Sequence, residues 1–229
     1  MQNALKNPNS KLKKDNAEYW DEFYKNVLIQ EESTFCKYIK TFFEDSPFIL
    51  DLGCGSGRDS YAFAREGFKV VGVDRSREAI KFNQELNGKL NKSVVNIEFF
   101  RVDLNDEKAL RELIITQKNK AEVEGKRIVI YLRFVLHSIN KLTEQLLLSI
   151  LSDELPKGSY LAAEFRTTED EMRNKVYGDH FRRFISAEDL LGDLRDKYKF
   201  KQILFTKGTG LSIYKGEDPY LGRIIVEKN

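Results

Sequence analysis

The chain has 229 residues, of which 38 are Lys or Arg and 36 are Asp or Glu, so its formal net charge at pH 7 is +2. That length predicts one sizeable domain, and the near balance of charge argues against a surface devoted to nucleic acid or to membranes. No apolar stretch is long enough for membrane insertion, and the polar N-terminus lacks a signal-peptide core. Cys36 and Cys54 have no metal-ligand spacing, which predicts a reduced, cytoplasmic protein without a structural metal.

The N-terminal part divides into a tail and two helices. Residues 1–15 are rich in Asn, Lys and Ser, which predicts a flexible tail before a single domain over residues 16–229. Aromatic residues then recur at helical intervals from Asn16, and a second helix is predicted over Glu32–Phe43.

The most informative stretch is residues 48–60, a short apolar strand followed by three alternating glycines and a helical pattern near Arg58–Glu66. The glycines are Gly53, Gly55 and Gly57. A strand that turns through glycines into a helix brings bare backbone close to a ligand at the carboxyl end of the strand. The stretch therefore predicts a ligand-binding turn.

Two classes of ligand use such a turn, and two residues separate them here. Dinucleotide-binding folds place a third glycine five residues after the first, where this chain has Arg58. Asp51, two residues before the first glycine, would repel a pyrophosphate but suits a ligand with an ammonium and a sulfonium group. The turn favours S-adenosylmethionine over NAD, with an NAD-dependent oxidoreductase as the alternative.

The motif Asp-Leu-Gly-Cys-Gly-Ser-Gly at residues 51–57 resembles the first motif of the class I S-adenosylmethionine-dependent methyltransferases. The resemblance implies an α/β, Rossmann-like doubly wound sheet of seven strands with the last strand antiparallel. It also implies an N-terminal helical lid over residues 16–45 that closes over the cofactor. Tyr19 or Tyr24 would then line the methyl-transfer site, although packing of the Tyr24 ring onto the domain is an equal alternative.

The second and third predicted strands each end at an acidic residue. The strand over Phe68–Val73 is followed by Asp74, which can accept hydrogen bonds from ribose hydroxyls. NAD-binding folds use an acidic residue after this strand in the same way. Ser76 is a better cap than Asp74 for the helix that follows. The strand over Val95–Val102 is followed by Asp103. The resemblance implies that Asp103 faces the adenine amino group, with Val102 and Leu104 against the ring; a capping role for Asp103 is the alternative.

The fourth strand, predicted over Ile128–Leu132, precedes two further candidates. It follows a helix near Glu107–Ile115 and a charged stretch, Gln117–Lys126, that is interpreted as an exposed connection. Because ligands bind at the carboxyl ends of such strands, Arg133 and His137 are expected to point into the site. The Leu-His pair at residues 136–137 resembles one often found after this strand in small-molecule methyltransferases. The base-methylating Asn-Pro-Pro-Tyr signature is absent, which disfavours a nucleic-acid substrate.

The remaining elements complete the sheet. A helix over Leu142–Leu151 leads to a fifth strand over Tyr160–Phe165, and an insert over residues 167–186 is expected to cover the substrate. The chain then forms a helix over Ala187–Tyr198 and two antiparallel strands over Lys199–Thr206 and Arg223–Glu227. The glycine-rich loop that joins the two strands, Lys207–Gly222, can form one wall of the pocket.

The predicted substrate side is cationic, with few acids to neutralise it. Its members are Arg133, His137, Arg166, His180, Arg182 and Arg183. Arginine suits bidentate recognition of phosphate or carboxylate, so we expect a small or sugar-linked anionic acceptor, with a phosphoryl group most attractive. The alternative is that Arg182 and Arg183 form surface ion pairs with acids of residues 169–171. Separated motifs at residues 131–137, 164–166 and 178–184 resemble methyltransferases of bacterial surface-polysaccharide gene clusters.

The candidate residues fall into two groups. The candidates for cofactor binding are Asp51, Gly53, Cys54, Gly55, Gly57, Asp74, Arg75, Val102, Asp103, Leu104, Leu132 and Arg133. The candidates for catalysis are His137 and His180, should a base be required, and Tyr24. An acceptor with a hydroxyl or amine group, or a cofactor-binding subunit without activity, remains open as an alternative function.

Overall fold

The computed structural model of the chain describes Asp21 and residues 31–89, 96–176 and 180–229. The strands are β1 (Phe48–Leu52), β2 (Lys69–Asp74), β3 (Ile97–Arg101), β4 (Ile128–Arg133), β5 (Tyr160–Arg166), β6 (Phe200–Gly208) and β7 (Leu221–Lys228). The helices are α1 (Thr34–Phe42), α2 (Arg58–Arg65), α3 (Arg77–Lys89), α4 (Glu107–Val123), α5 (Lys141–Glu154) and α6 (Ala187–Asp196). The predicted tail and the candidates Tyr19 and Tyr24 lie outside the described residues.

All seven strands form one sheet in the order β3-β2-β1-β4-β5-β7-β6. Neighbours from β3 to β5 run parallel, whereas β7 runs antiparallel to both β5 and β6. The strand order reverses between β1 and β4, and open α/β sheets bind ligands outside the carboxyl ends of the strands at such a point. The predicted seven-stranded α/β sheet with an antiparallel last strand is confirmed.

Helices cover both faces of the sheet, and successive residues of β1 enter two separate cores. Phe48, Leu50 and Leu52 pack with side chains of α4 and α5, while Ile49 packs with side chains of α1, α2 and α3. Every residue of β1 is buried. This continuous burial explains why the strand is an apolar run without polar alternation, as expected for a parallel strand covered on both faces.

Helix α4 contradicts one prediction, because it continues to Val123 through most of the stretch interpreted as an exposed connection over Gln117–Lys126. The buried residues Leu113, Gln117 and Ala121 follow one another at four-residue intervals along one face. The amide of Gln117 interrupts the apolar period on which the sequence interpretation depended. Lys118 and Lys120 pair with Glu154 and Glu98 instead of marking a loop.

The predicted insert over residues 167–186 is tied to the sheet at both ends. Thr167 and Ile185 form a parallel bridge, and the Ser186 hydroxyl caps α6 by accepting a hydrogen bond from the Asp189 amide at 3.2 Å. Between these ends, Thr168–Asp170 form a short 3₁₀ turn. None of the described helices combines the length and apolar character that a membrane span requires.

Two leucines of α5 provide a test of this packing. Leu147 is fully buried in the core, whereas Leu142 on the same helix is 77% exposed. We expect Leu147→Ala to lower the free energy of unfolding by about 2–5 kcal/mol, because it removes buried methyl groups and leaves a cavity. Leu142→Ala is the matched control and should change it by less than about 0.5 kcal/mol. Urea unfolding followed by circular dichroism measures both, and equal losses would contradict this packing.

Candidate functional site

The turn after β1 passes through three glycines, Gly53, Gly55 and Gly57, with φ angles of 77°, 54° and 75°. The amide of Gly53 donates a hydrogen bond to the Val73 carbonyl at 2.7 Å, which holds the turn against the end of β2. A Cβ atom at Gly53 would lie 2.5 Å from Val135 Cγ2. The glycines therefore allow both the left-handed backbone and the close approach of neighbouring elements.

Asp74 joins the end of β2 to this turn. Its Oδ2 accepts a hydrogen bond from the Gly55 amide at 2.9 Å, and its Oδ1 accepts one from the Ser76 amide at 2.8 Å. Each carboxylate oxygen retains a lone pair for a further donor, which suits a pair of ribose hydroxyls. The Ser76 hydroxyl accepts a hydrogen bond from the Ala79 amide at 3.2 Å, so the predicted cap of the following helix is confirmed.

Asp51 lies at the end of β1 and is only 3% exposed. Its Oδ2 accepts a hydrogen bond from the Ser60 hydroxyl at 2.5 Å. Burial raises the pKa of Asp51 to about 7; the Ser60 hydrogen bond opposes this rise, and the negative charges of Asp59 and Asp74 add to it. A ligand ammonium or sulfonium near this carboxylate would favour its ionised form.

The carboxyl end of β3 lies beside Asp74, since the Val102 amide donates to the Asp74 carbonyl at 3.1 Å. Asp103 is half-buried, and its Oδ1 accepts hydrogen bonds from the Asn105 amide and side chain, both at 2.9 Å. Asp106 caps the next helix through the Ala109 amide at 3.0 Å, so Asp103 does not take that alternative role.

The other cofactor candidates differ in what their side chains can reach. Leu104 is 8% exposed, whereas Leu132 is fully buried within the core. The Cys54 thiol is half-buried and contacts the Gly55 carbonyl at 3.7 Å. The carbonyl of Arg75 accepts a hydrogen bond from Arg101 Nε at 3.0 Å, and this links the ends of β2 and β3.

The carboxyl end of β4 carries a buried ion-pair cluster. Arg133 Nε lies 3.1 Å from Glu164 Oε1 and 3.8 Å from Asp59 Oδ2. Glu164 is fully buried, and its Oε2 accepts a hydrogen bond from Arg223 Nε at 2.7 Å. Phe134 adopts a φ of 61°, which is strained for a bulky residue, and its ring lies 4.3 Å from the Arg133 guanidinium carbon.

The expectation that few acids neutralise the substrate side is wrong. Besides Arg133, Arg166 pairs with Asp170 at 2.6 Å and with Glu217. Arg183 pairs with Glu144 and donates to the carbonyls of Leu136 and Ile139 at 2.9 and 2.7 Å. Glu144 and Glu217 lie far from these arginines in the sequence, whereas Asp170 follows Arg166 by four residues and Glu169 pairs with Lys207. Arg183 thus anchors the insert.

His137 is only 3% exposed, and its Nδ1 accepts a hydrogen bond from the Arg166 amide at 3.2 Å. Burial, together with the charges of Arg166, Arg182 and His180, holds the pKa of His137 well below its usual range. The neutral ring therefore carries its proton on Nε2, where it can donate but not accept. This geometry does not suit the role of general base.

His180 stands next to the same group, with its Nδ1 3.5 Å from Arg182 Nη2. Burial and the charges of Arg182 and Arg166 lower the pKa of His180 to about 4. We use the term acceptor-side cluster for His137, Arg166, His180 and Arg182. The sequence predicted these four residues together. Of the charged residues that it missed, only Asp59, directly after the glycine turn and Arg58, gave a local signal. The missed residues are Asp59, Glu144, Glu164, Glu217 and Arg223.

The parallel sheet closed by an antiparallel β7, together with a glycine turn held by an acidic strand end, defines the class of S-adenosylmethionine-dependent methyltransferases. Residues 44–182 match the family described as "Methyltransferase domain", and the chain belongs to that family. The expectations of a methyltransferase and of S-adenosylmethionine as its cofactor are confirmed. Family membership also argues against the NAD-dependent alternative.

Solved structures of the same class resemble the whole fold. A methyltransferase from Anabaena variabilis is 19% identical, with 93% of each chain covered and a TM-score of 0.64. Magnesium protoporphyrin IX methyltransferase from Synechocystis, with bound S-adenosylhomocysteine, is 13% identical, covers 93% of this chain and 94% of its own, and has a TM-score of 0.63. At these identities the likeness shows the fold.

A curated relative is 23S rRNA (uracil(1939)-C(5))-methyltransferase RlmD from Legionella pneumophila, which is 30% identical over 84 residues. The match covers 37% of this chain and 18% of that protein. The chain therefore spans less than a fifth of this relative, and the activity in its name is that protein's own.

Gly57 provides a test of the turn. A Cβ atom there would lie 2.6 Å from Asn83 Oδ1 and 2.9 Å from the Tyr61 ring, in addition to the strained φ. We expect Gly57→Ala to weaken the binding of S-adenosylhomocysteine about tenfold or more, since the turn must shift. Gly67→Ala is the control, because Gly67 has a φ of 86° but nothing within 4 Å of its Cβ position. Calorimetry measures both affinities, and an unchanged affinity in Gly57→Ala would contradict the assignment of the turn.

Asp51 gives a prediction on pH. If its carboxylate must be ionised to attract the cofactor ammonium, binding strengthens as the pH rises through a pKa of about 7. We expect the affinity for S-adenosylhomocysteine to be about tenfold higher at pH 8 than at pH 6, since most of Asp51 is protonated at the lower pH. Asp51→Asn should bind more weakly and lose this dependence. A pH dependence that persists in Asp51→Asn would show that another group is responsible.

Proposed function

We propose that this methyltransferase transfers a methyl group from S-adenosylmethionine to an anionic oxygen of a small or glycan-linked acceptor. A phosphoryl-type oxygen in bacterial surface-polysaccharide biosynthesis is our first choice. The observation that carries the proposal is the acceptor-side cluster, which combines guanidinium groups with two histidines whose pKa values are lowered. The two free cysteines support a reduced, cytoplasmic setting.

The protonation of the cluster favours an acceptor that is already anionic. The cofactor supplies an electrophilic methyl group on its sulfonium, and an in-line displacement requires the acceptor atom to be aligned with it. A hydroxyl acceptor usually needs a base, whereas a phosphate or carboxylate oxygen needs none. His137 is held as a donor by the Arg166 amide, and a pKa of about 4 makes His180 a weak base near neutral pH. The cluster thus suits binding of an anion more than removal of a proton.

The ion pairs limit which arginines can hold the acceptor. Arg133 and Arg166 each contact two carboxylates, so their charges are largely offset before any acceptor binds. Arg182 contacts His180 and is near enough to His137 to lower its pKa. We assign the main contact with an acceptor anion to Arg182 because it lies beside both histidines of the acceptor-side cluster, and the Nε2 proton of His137 can donate to the same anion.

The N-terminal lid over residues 16–45 belongs to this proposal. Asp21 Oδ1 accepts a hydrogen bond from the Ser76 hydroxyl at 2.5 Å, beside the carboxylate proposed for the ribose. The Ser33 amide donates to Asp59 Oδ1 at 2.8 Å on α2. Both contacts tie the N-terminal part to elements that flank the glycine turn, which supports a role in covering the cofactor.

A paired acceptor panel tests the function. Phosphorylated sugars and related phosphate esters are assayed beside their dephosphorylated parents for transfer of a labelled methyl group, at saturating S-adenosylmethionine. We expect turnover of phosphorylated members, with kcat changing less than about twofold between pH 6 and 8, because no histidine titrates in that range. Turnover of parent alcohols alone, with a rate that follows an ionisation in that range, would refute the proposal.

Arg182→Gln sharpens this test with the acceptor that the panel identifies. We expect KM for the anionic acceptor to rise about tenfold or more with a smaller change in kcat, because a charge-assisted contact is lost. Arg195→Gln is the control, since Arg195 is an exposed arginine of α6 paired with Asp196. An unchanged KM in Arg182→Gln would remove Arg182 from the acceptor site.

A further inference from the structure

We infer that Asn83 is a positioning residue for the cofactor, because its side chain fixes the conformation of the glycine turn. Asn83 lies in the middle of α3 and belongs neither to the turn nor to the strand ends beside it. The inference rests on the assignment of the turn to S-adenosylmethionine, and it involves no property of the methyl acceptor.

Asn83 and Asp74 hold two successive peptide groups of the turn, one on each side of the Gly55 α-carbon. Asn83 Nδ2 donates a hydrogen bond to the Gly55 carbonyl at 2.7 Å, and Asp74 Oδ2 accepts one from the Gly55 amide at 2.9 Å. Glycine has more backbone freedom than any other residue. The two contacts together therefore restrict both dihedral angles of Gly55, and through Gly55 they link Asn83 to the carboxylate proposed for the ribose.

The same side chain also contacts the last glycine of the turn. Asn83 Oδ1 would lie 2.6 Å from a Cβ atom at Gly57, so the amide reaches from the second glycine to the third. The main-chain carbonyl of Asn83 accepts a hydrogen bond from the Tyr61 hydroxyl of α2 at 2.9 Å. Asn83 is thus held by the helix that follows the turn while its side chain holds the turn itself.

The amide of Asn83 is unfavourable for the stability of the core. Asn83 is fully buried, and its Oδ1 has no hydrogen-bond partner in the part of the chain that the structure describes. A buried amide oxygen without a partner lowers the free energy of unfolding, and an apolar side chain would avoid that cost. An apolar side chain could not donate to the Gly55 carbonyl, however. We therefore attribute the amide to the positioning of the turn.

The orientation that Asn83 fixes suits a cofactor without phosphate groups. The amides of Gly53 and Cys54 donate to the Val73 carbonyl at 2.7 and 3.0 Å, and the Gly55 amide donates to Asp74. These amides meet acceptors of the protein, whereas a turn that binds a pyrophosphate presents its amides to the ligand. Holding the Gly55 carbonyl on α3 keeps the turn in this orientation.

Two asparagines of α3 provide a matched test. Asn87 lies one helical turn after Asn83, and its Nδ2 donates to the Ile97 carbonyl of β3 at 2.9 Å, away from the glycine turn. We expect Asn83→Ala to weaken the binding of S-adenosylhomocysteine about tenfold, because Gly55 is no longer fixed. Asn87→Ala also loses a bond to a main-chain carbonyl, but it should change the affinity less than about twofold. Calorimetry measures the affinities, and circular dichroism shows that each variant is folded.

Asn83→Asp adds a signature that loss of packing alone would not give. A protonated carboxyl can donate to the Gly55 carbonyl, whereas an ionised one can only accept and would repel it. Burial raises the pKa of such a carboxyl. The affinity of Asn83→Asp relative to the wild type should therefore fall as the pH rises from about 5 to about 8. The same ratio for Asn83→Ala should be constant, and comparison with the wild type at each pH removes the dependence expected from Asp51.

Three outcomes would overturn the inference. An unchanged affinity in Asn83→Ala, or equal weakening by Asn83→Ala and Asn87→Ala, would show that Asn83 only packs α3 onto the domain. If Asn83→Ala is unfolded, Asn83→Asp decides, and a ratio to the wild type that does not vary with pH would count against us. Weakening by Gly57→Ala without weakening by Asn83→Ala would refute this inference and leave the assignment of the turn intact. Since no acceptor is present, none of these results bears on the anionic-acceptor proposal.

Discussion

The hydrogen bond between Asp74 and the Gly55 amide joins the two central features of this site, the glycine turn after β1 and the acidic end of β2. It requires the backbone of the turn to face β2, and that backbone has φ values that only glycine adopts without strain. It also fixes a carboxylate at the edge where the strand order reverses. One interaction therefore sets both the shape of the turn and the place of the carboxylate.

This constraint explains why the cofactor end could be predicted from the sequence. The strand, the glycines and Asp74 lie within 27 residues of one another, and their roles depend on main-chain conformation that each residue type reveals locally. The same local reasoning failed for α4, where one buried amide at Gln117 concealed the helical period. Local reasoning also failed for the charges of the predicted substrate side, because Arg183 pairs with Glu144 and Arg166 pairs with Glu217, which lie far away in the sequence.

The long-range ion pairs change how Arg133 and Arg166, at the ends of β4 and β5, are interpreted. A row of cations in a sequence suggests a receptor for anions, but a buried guanidinium is stable only when carboxylates offset it. Glu164 is fully buried and serves both Arg133 and Arg223, so these arginines first stabilise the ends of β4, β5 and β7. The acceptor anion that we propose would therefore meet the contact between Arg182 and His180 rather than these paired arginines.

The two ends of the site therefore differ in how they are built, and this difference bears on the choice of acceptor. The end that we propose for the cofactor consists of main chain and of carboxylates at the carboxyl ends of β1 and β2. The acceptor end that we propose depends on side chains of the insert, which Arg183 holds on the carbonyls of Leu136 and Ile139. Replacing that insert would alter the cluster around His137 while leaving Asp74 and the glycine turn in place. Proteins that share a fold can thus keep one kind of cofactor site and still differ in the acceptor site.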